Sequence, residues 1–194
     1  MKTDFNIYGL SDSHFLHDNI LKFTYDKEKT LLLRPEFASI EDMDNKMRSL
    51  WNHTIRPEDI VIHIGDLVWT KGSSERIKEL IKSLNGRKIL VRGNHDRKSY
   101  SWYLSNGIDF VCDRFHWDYN GKRILFVHNP DHCDSSEYSR YDIILFGHVH
   151  RNRPFISHMD NTYFVNMSVE QIKYRPMALL PLFNRILQGY YKEK

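Results

Sequence analysis

The sequence predicts an α/β protein in which two β-sheets pack face to face with helices on the outside. In the first half of the chain, apolar runs of strand length alternate with segments that have helical apolar spacing. In the second half, hairpin patterns are more frequent. This mixture of parallel units and hairpins is typical of two packed sheets flanked by helices.

The first half predicts strands over residues 5–11, 59–64 and 88–91 and helices over 40–53 and 74–84. The first helix has apolar residues at helical spacing, and Ser39 with Asp42 three residues later resembles an N-terminal cap. Residues 59–64 are almost continuously apolar, which is typical of a strand buried on both faces. Each of these three strands is followed by polar residues.

The second half predicts a hairpin at residues 120–121, where Asn-Gly separates strands over 115–119 and 123–128. A buried strand follows over 141–146, and a second hairpin turns at 160–161 between 155–157 and 163–166. The apolar segment 177–191 could pack on the protein's own sheet or on a partner. With 194 residues, we expect a single domain over residues 1–194.

Composition excludes several functional classes. Lys and Arg number 28 against 25 Asp and Glu, and this net charge of +3 is too mild for a protein that coats nucleic acid. Apolar runs are far shorter than the roughly 20 residues of a membrane helix. Two cysteines, Cys112 and Cys133, make no disulfide framework, and the first residues lack an apolar signal region. We therefore expect a cytoplasmic protein.

A side chain able to bind metal lies at the end of five of the predicted strands or just after it. These residues are Asp12 and His14, Asp66, Asn94 and His95, His128, and His148 and His150. Because ligands of α/β sheets bind beyond the carboxyl ends of strands, we expect these side chains to meet at one site. Glycine precedes three of the motifs, which allows close backbone approach and unusual dihedral angles.

The types of donor atom limit the choice of metal. Oxygen and nitrogen donors without cysteine suit Mn, Fe, Zn, Ni or Co better than a structural zinc site or a calcium site. The candidates exceed what one ion needs, and two ions about 3.5–4 Å apart, bridged by a carboxylate, are a known arrangement for phosphoester displacement. Alternation after the apolar run 143–146 predicts that His148 and His150 point to the same side.

Each motif also has a simpler explanation. An aspartate after a strand is more often a turn former or a helix cap, and a single histidine is more often structural than a ligand. His63 lies inside a strand, so we expect it to be packed rather than catalytic. Arginines flank the motifs and could bind phosphate or only keep the surface soluble; these are Arg92, Arg97, Arg151 and Arg153. What indicates a metal site is therefore that all the motifs occur together in this order.

In that order the motifs resemble those of the calcineurin-like metallophosphoesterase superfamily, which are D-x-H, G-D, G-N-H-[DE], H and G-H-x-H. The resemblance extends from about residue 6 to residue 176 and looks closest to small single-domain bacterial and bacteriophage members. Residues 11–20, residues 84–90, and Asn166 with 174–176 are similar to that subgroup. The resemblance implies a four-layer αββα sandwich with two mixed sheets and a dinuclear metal site.

By motif position, the resemblance assigns two sets of metal ligands that share Asp66 as the bridge. The first set is Asp12, His14, Asp66 and His150; the second is Asp66, Asn94, His128 and His148. The two divalent ions would most readily be manganese, and iron, zinc, nickel or cobalt are the alternatives. A hydroxide shared between the two ions would attack phosphorus.

The resemblance gives the remaining polar residues roles toward the substrate. His95 would stabilise the transition state and donate a proton to the leaving oxygen, so that the catalytic residues are His95 and Asp66. Asn94 and His95 would contact the substrate, and His17 is either a phosphate contact or a polar residue near a helix start. Asp96 either orients an imidazole or supports a metal ligand from behind, or it is a helix cap.

These residues predict a metal-dependent phosphodiesterase that acts on a nucleotide-like or other small phosphodiester. The Ser/Thr protein phosphatases of the superfamily carry Asp-Arg-Gly after the Gly-Asp motif, whereas residues 67–72 here read Leu-Val-Trp-Thr-Lys-Gly. The arginine that binds phosphate in that branch is missing, which argues against a phosphoprotein substrate. The alternatives are a nucleotidase-like phosphomonoesterase, a nuclease for single strands, and a non-catalytic metal-binding scaffold of the same fold. We expect selectivity to lie in loops 25–39, 99–106 and 129–140, with neither membrane nor stable duplex binding.

Overall fold

The computed structural model describes residues 5–191 apart from positions 70, 72, 133 and 134. Cys133 and both ends of the predicted domain therefore lie outside the described residues. The strands are β1 (Ile7–Leu10), β2 (Ile60–His63), β3 (Arg87–Val91), β4 (Phe110–Cys112), β5 (Arg114–Tyr119), β6 (Lys122–Val127), β7 (Ile143–Phe146), β8 (Ile156–Met159), β9 (Thr162–Asn166) and β10 (Met177–Ala178). The helices are α1 (Ile40–Thr54), α2 (Ser74–Ser83), α3 (Tyr100–Ser105), α4 (Ser135–Tyr138) and α5 (Leu179–Leu187).

The strands form two mixed sheets of five. The first has the order β10-β1-β2-β3-β4, in which β10 is antiparallel and the others are parallel. The second has the order β5-β6-β7-β9-β8, with parallel central strands and antiparallel edges. Leu10 lies opposite His63, which lies opposite Leu90, so β1, β2 and β3 end level with one another.

The central strands are buried on both faces because neighbouring residues enter different apolar cores. Val61 and Leu90 join the core beneath α1 and α2, whereas Ile62 and Val91 join the core between the sheets. The same alternation holds in β7, where Leu145 faces the core between the sheets. Burial on both faces explains why these strands are continuous apolar runs in the sequence.

Helices cover the outer faces of the two sheets. Helix α1 buries Met43, Met47 and Trp51 against the first sheet, and the Ser39 hydroxyl caps this helix by accepting the Asp42 N–H at 3.1 Å. The outer face of the second sheet is covered in part by Tyr138 of the short helix α4. This arrangement confirms the predicted fold class of two mixed sheets flanked by helices.

Four short elements were not expected from the sequence. Loop 99–106 contains α3, loop 129–140 contains α4, strand β4 has three residues, and β10 has two. Such short segments show too little periodicity to be recognised. The apolar segment 177–191 packs on the protein's own sheets, because α5 inserts Leu182 and Phe183 into the core between them. No helix of the described chain is both long and apolar enough to cross a membrane.

Replacing Phe183 with alanine tests the packing of α5. The ring is fully buried and lies 5.8 Å from Trp117 and 5.7 Å from Tyr119, measured between ring centroids. We expect Phe183→Ala to lower the free energy of unfolding by about 3–5 kcal/mol, because it opens a cavity. Leu187→Ala, on the same helix but 37% exposed, should change it by about 0.5 kcal/mol or less. Urea denaturation measures both, and equal losses would contradict the packing.

Candidate metal centre

The five strand ends that carry the predicted site residues meet along one edge of the two sheets. The loops after β1 and β2 run side by side: the Asp12 N–H donates to the Gly65 carbonyl at 2.9 Å, and the His14 N–H donates to the Asp66 carbonyl at 2.9 Å. The loop after β7 is joined to β6 by the Gly147 N–H, which donates to the His128 carbonyl at 2.9 Å. Backbone hydrogen bonds therefore fix the loops before any side chain is considered.

Five of the predicted ligands have left-handed backbone conformations. Their φ angles are 58° for Asp12, 50° for His14, 56° for Asp66, 72° for His148 and 48° for His150. This region is unfavourable for residues with a side chain, and it persists where the surrounding structure imposes it, as it often does at functional sites. The left-handed turns direct side chains from neighbouring strands toward one centre.

The glycines before the ligands leave room for them. A Cβ atom on Gly93 would lie 2.1 Å from Asp66 Oδ1, and one on Gly147 would lie 2.4 Å from Asp12 Oδ2. Gly65 combines close approach with a φ of 85°, since its Cβ would lie 2.3 Å from His128 Nδ1. The expected unusual dihedral is present at Gly65, whereas Gly93 and Gly147 are needed for space alone.

The predicted ligands form two groups with Asp66 between them. The potential metal-binding atoms of Asp12, His14 and His150 lie within 4.8 Å of one another, as do those of Asp66, His128 and His148. Asp66 Oδ2 is 3.5 Å from His14 Nε2 in the first group and 3.4 Å from His128 Nε2 in its own. One carboxylate therefore reaches both groups.

Asn94 and His95 complete the set of predicted residues. The Asn94 amide oxygen lies 3.3 Å from His128 Nε2, which brings a neutral oxygen donor to the second group. The His95 N–H donates to Asp66 Oδ1 at 2.8 Å. The potential metal-binding atoms of His95, His14 and Asp66 also lie within 4.8 Å of one another. With 22% of its side chain exposed, His95 is accessible from solvent.

The chemistry of His14 fits a bound cation. The residue is 1% exposed, and neither ring nitrogen has a hydrogen-bond partner among the described residues. Burial lowers the pKa of His14 well below its usual range, so the ring is neutral and keeps a free lone pair. Its Nε2 lies 3.9 Å from Asp12 Oδ1 and 3.5 Å from Asp66 Oδ2. A neutral donor between two carboxylates is suited to a divalent cation.

Asp66 and His128 stabilise each other's charged forms. Burial favours the neutral acid, but the hydrogen bond and positive charge of His128 hold the pKa of Asp66 below its usual range. Burial also favours neutral His128, yet the contact with Asp66 raises its pKa instead. The His128 ring is oriented from behind, because Nδ1 lies 2.9 Å from the Ile64 carbonyl oxygen and Nε2 therefore faces Asp66.

Asp96 holds the backbone of the site rather than an imidazole. Its buried carboxylate accepts backbone N–H groups of Asp66 at 2.7 Å, Gly93 at 2.9 Å and Leu67 at 3.2 Å. Burial, followed by the charge of Asp66, raises the pKa of Asp96 to about 7. Of the expected roles, the structure favours support of a predicted ligand from behind, because Asp96 holds the backbone of Asp66. Asp96 is not a helix cap, since the next helix begins at Tyr100 and is capped by Ser99.

His17 lies beside the two groups of ligands. Its ring stacks on Trp69 at 4.0 Å between centroids and lies 5.3 Å from His14 and 5.8 Å from His95. Burial lowers its pKa to about 4, so the imidazole is neutral. Its Nδ1 has no hydrogen-bond partner within the described parts of the chain. His17 is therefore close enough to the centre to contact a substrate.

The orientation expected for His148 and His150 is wrong. Both follow β7 in left-handed conformations, and His150 begins a short 3-10 turn, so strand alternation does not continue. The His148 ring lies 5.2 Å from that of His128, whereas the His150 ring stacks on His14 at 5.3 Å. The two imidazoles thus serve different groups.

The sequence did not indicate three residues that support the ligands. The Ser168 hydroxyl donates to Asp12 Oδ2 at 3.0 Å, and Glu170 and Arg34 form a buried ion pair behind His150. Asn166, part of the subgroup resemblance, places its Oδ1 2.7 Å from the Ser168 hydroxyl oxygen, so Asn166 and Asp12 share the single hydroxyl proton. As expected, His63 is packed, and its Nε2 lies 2.9 Å from the Ser13 hydroxyl oxygen.

A cleft of about 380 Å³ opens beside the second group. It is lined by Asn94, His128 and His148 and by Arg92 and Asn129. A larger groove of about 700 Å³ lies between α1 and α2 and contains none of the predicted ligands. The first of these openings gives a small molecule access to the centre.

Comparison with known proteins identifies the family. The family model for calcineurin-like phosphoesterases matches residues 5–152. An uncharacterized protein of Methanocaldococcus jannaschii is 33% identical over 187 residues, which cover 94% of this chain and 92% of the relative.

Two solved structures are similar to this chain to different degrees. A protein of unknown function from Aquifex aeolicus superposes with a TM-score of 0.69 at 27% identity, covering 93% of this chain and 99% of the other. A structure described as a novel archaeal phosphodiesterase has a TM-score of 0.49 at 17% identity, covering 84% and 82%. With a family match over most of its length, the chain belongs to the calcineurin-like phosphoesterases and is a metallophosphoesterase, a hydrolase of phosphoester bonds.

Proposed function

We propose that this phosphoesterase is a phosphodiesterase for nucleotide-like or other small diesters, and that it uses two divalent metal ions. The proposed ligands of the first ion are Asp12, His14, Asp66 and His150, and those of the second are Asp66, Asn94, His128 and His148. Manganese is the first choice, with iron, zinc, nickel or cobalt as alternatives that the same oxygen and nitrogen donors accept.

The observation that carries this proposal is the position of the Asp66 carboxylate. It is buried, and one of its oxygens lies about equally far from a ring nitrogen of each ligand group, at 3.5 Å and 3.4 Å. A carboxylate in this position can bridge two cations. When bound, a pair of divalent ions supplies positive charge for the phosphate and a water-derived nucleophile near neutral pH.

The residues of the chain then have separate roles toward the substrate. His95 is held by its backbone N–H on Asp66, and burial lowers its pKa below the usual range. Its ring lies beside the centre and is accessible from solvent, where the neutral form hydrogen-bonds the phosphate. After taking up a proton from solvent, the imidazolium passes that proton to the leaving oxygen and returns to the neutral form. Asn94 and His17 contact the phosphate oxygens.

The charges around the centre bear on the choice between a diester and a monoester. A monoester carries two negative charges at neutral pH, and a site for it gains from a free cation beside the metal ions. Three flanking arginines are paired with carboxylates at 2.9, 3.4 and 2.8 Å: Arg92 with Asp113, Arg151 with Glu36, and Arg153 with Asp131. The fourth, Arg97, has no carboxylate partner among the described residues, and its Nε–H donates to the Asn94 carbonyl oxygen at 3.1 Å, beside the centre. The nucleotidase-like phosphomonoesterase is therefore the second candidate, and a comparison of the two esters distinguishes them.

Hydrolysis of an aryl phosphodiester and of the matching aryl monoester tests the proposal. The protein is stripped of metal by a chelator, assayed, and assayed again after refilling with Mn²⁺. We expect diester turnover that requires metal and exceeds monoester turnover. Monoester turnover alone would favour the nucleotidase-like alternative. Tight metal binding without turnover of either compound would favour a non-catalytic scaffold.

Replacing His95 with asparagine tests its role in proton transfer. We expect His95→Asn to lower kcat for the diester by about 10²–10⁴, the usual contribution of a general acid. The metal content should stay at two ions per chain, because His95 is not one of the proposed ligands. The control is His53→Asn, an exposed histidine of α1, which should leave both quantities unchanged. A variant that loses one ion would instead identify His95 as a ligand.

Replacing Gly93 with alanine tests the space that Asp66 needs. The new methyl group would overlap Asp66 Oδ1 and its backbone nitrogen, which would lie at 2.1 and 2.5 Å. The carboxylate must shift, and a displacement of this size costs about 100-fold in rate.

Gly121→Ala is the matched control for that variant. Its Cβ meets no atom within 4 Å, and its φ of 72° lies in a hairpin turn away from the site. It should cost about 1 kcal/mol of stability and leave turnover unchanged. Wild-type activity in Gly93→Ala, measured at full metal loading, would contradict the bridging position of Asp66.

A further inference from the structure

A buried carboxylate, Glu170, lies directly behind the imidazole of His150. Its side chain is completely inaccessible to solvent, and its two oxygens are 3.1 and 3.2 Å from His150 Nδ1. The Arg34 guanidinium donates its Nε–H to Glu170 Oε1 at 2.7 Å. The carboxylate therefore has a hydrogen-bond donor on each side, and its charge is balanced by the arginine.

Arg34 extends this contact to the loop after β1. Its terminal nitrogens donate to the carbonyl oxygens of Asp12 and Ser13, the second at 3.0 Å. The arginine is as deeply buried as Glu170. One guanidinium thus joins the loop that carries Asp12 and His14 to the carboxylate that holds His150.

The segment around Glu170 also fixes the backbone of His150. The His150 carbonyl oxygen accepts the side-chain amides of Asn166 at 2.7 Å and Gln171 at 3.1 Å. These contacts hold a left-handed residue in a short turn, where it would otherwise be unfavourable. The family match ends at residue 152, so the residues that secure His150 lie beyond the matched segment.

A hydrogen-bond acceptor at Nδ1 determines which ring nitrogen of His150 is available to bind a metal ion. Because Glu170 accepts the Nδ1–H, the lone pair of the neutral ring is on Nε2, which faces Asp12 Oδ1 at 3.9 Å. A carboxylate behind a metal-binding imidazole fixes the tautomer, orients the ring and strengthens it as a donor.

We propose that Glu170, held by Arg34, is a positioning residue that makes His150 a ligand of the first metal ion only. This inference rests on the function proposed above, because it presumes the two sets of metal ligands. Loss of Glu170 should therefore affect only the first metal ion. Glu170 contacts His150 in the first group, whereas in the second group His128 is oriented separately by the Ile64 carbonyl.

Titration of metal-stripped protein with Mn²⁺ tests the proposal. Equilibrium dialysis gives the affinity and number of bound ions, and electron paramagnetic resonance distinguishes a magnetically coupled pair from a single ion. For Glu170→Gln we expect about 10–100-fold weaker binding of one ion, the usual effect of losing such a partner. The second ion should bind as in wild type, and the coupled signal should become that of a single ion at intermediate Mn²⁺.

Matched variants separate positioning from folding. Glu36→Gln removes a partly exposed carboxylate beside Arg151. It should leave the affinity for both ions unchanged. Arg34→Met with Glu170→Gln removes both buried charges together, so that no unpaired charge remains, and should show the same selective loss. Combining Glu170→Gln with His150→Ala should weaken binding no further than His150→Ala alone.

The outcomes are distinct. Unchanged binding of both ions in Glu170→Gln and in the double variant would overturn the inference and leave the proposed function intact. Equal weakening of both ions would overturn it as well, because it would indicate general loosening of the fold. Failure of wild-type protein to bind two ions would overturn the proposed function and this inference together.

Discussion

A buried negative charge at Asp66 is the constraint on which the rest of the site depends. A carboxylate withdrawn from water is costly unless donors or cations surround it. Here the His95 N–H and the rings of His14 and His128 lie around the Asp66 carboxylate. The backbone N–H of Asp66 is held by the carboxylate of Asp96. The space is so limited that Gly93 cannot carry a side chain.

The sheet topology makes this arrangement achievable. Strands β1, β2 and β3 are parallel and end level, so three loops leave the sheet at the same height. The second sheet brings β6 and β7, also parallel, to the same edge. Left-handed turns then direct the side chains inward, and cores on both faces of the strands supply the stability that such unfavourable conformations require.

The sequence predicted the fold class and the convergence of the site residues because both follow from local patterns. An apolar strand and the polar residue after it are adjacent in the chain, and parallel strands bring their ends together without further information. The supporting residues could not be found this way. Ser168 is 156 residues from Asp12, and Arg34 is 136 residues from Glu170. Neither belongs to a motif, so only the folded chain shows these pairs.

The same reasoning explains why alternation failed after β7. Predicting that His148 and His150 share a side assumes that the strand continues, whereas left-handed angles at both residues end it. The resulting turn sends one imidazole to each ligand group, which a continued strand could not do. The departure from the regular pattern is thus what allows one short motif to serve two groups.

The two ligand groups also differ in how they depend on the end of the chain. The second group is assembled from residues 66–148, within the family match. The first group is held by Ser168 on Asp12 and by Glu170 on His150, and this segment leads directly to β10, which pairs with β1, and to α5 in the core between the sheets. The segment that supports the first group is therefore continuous with the elements that close the first sheet and fill the core between the sheets.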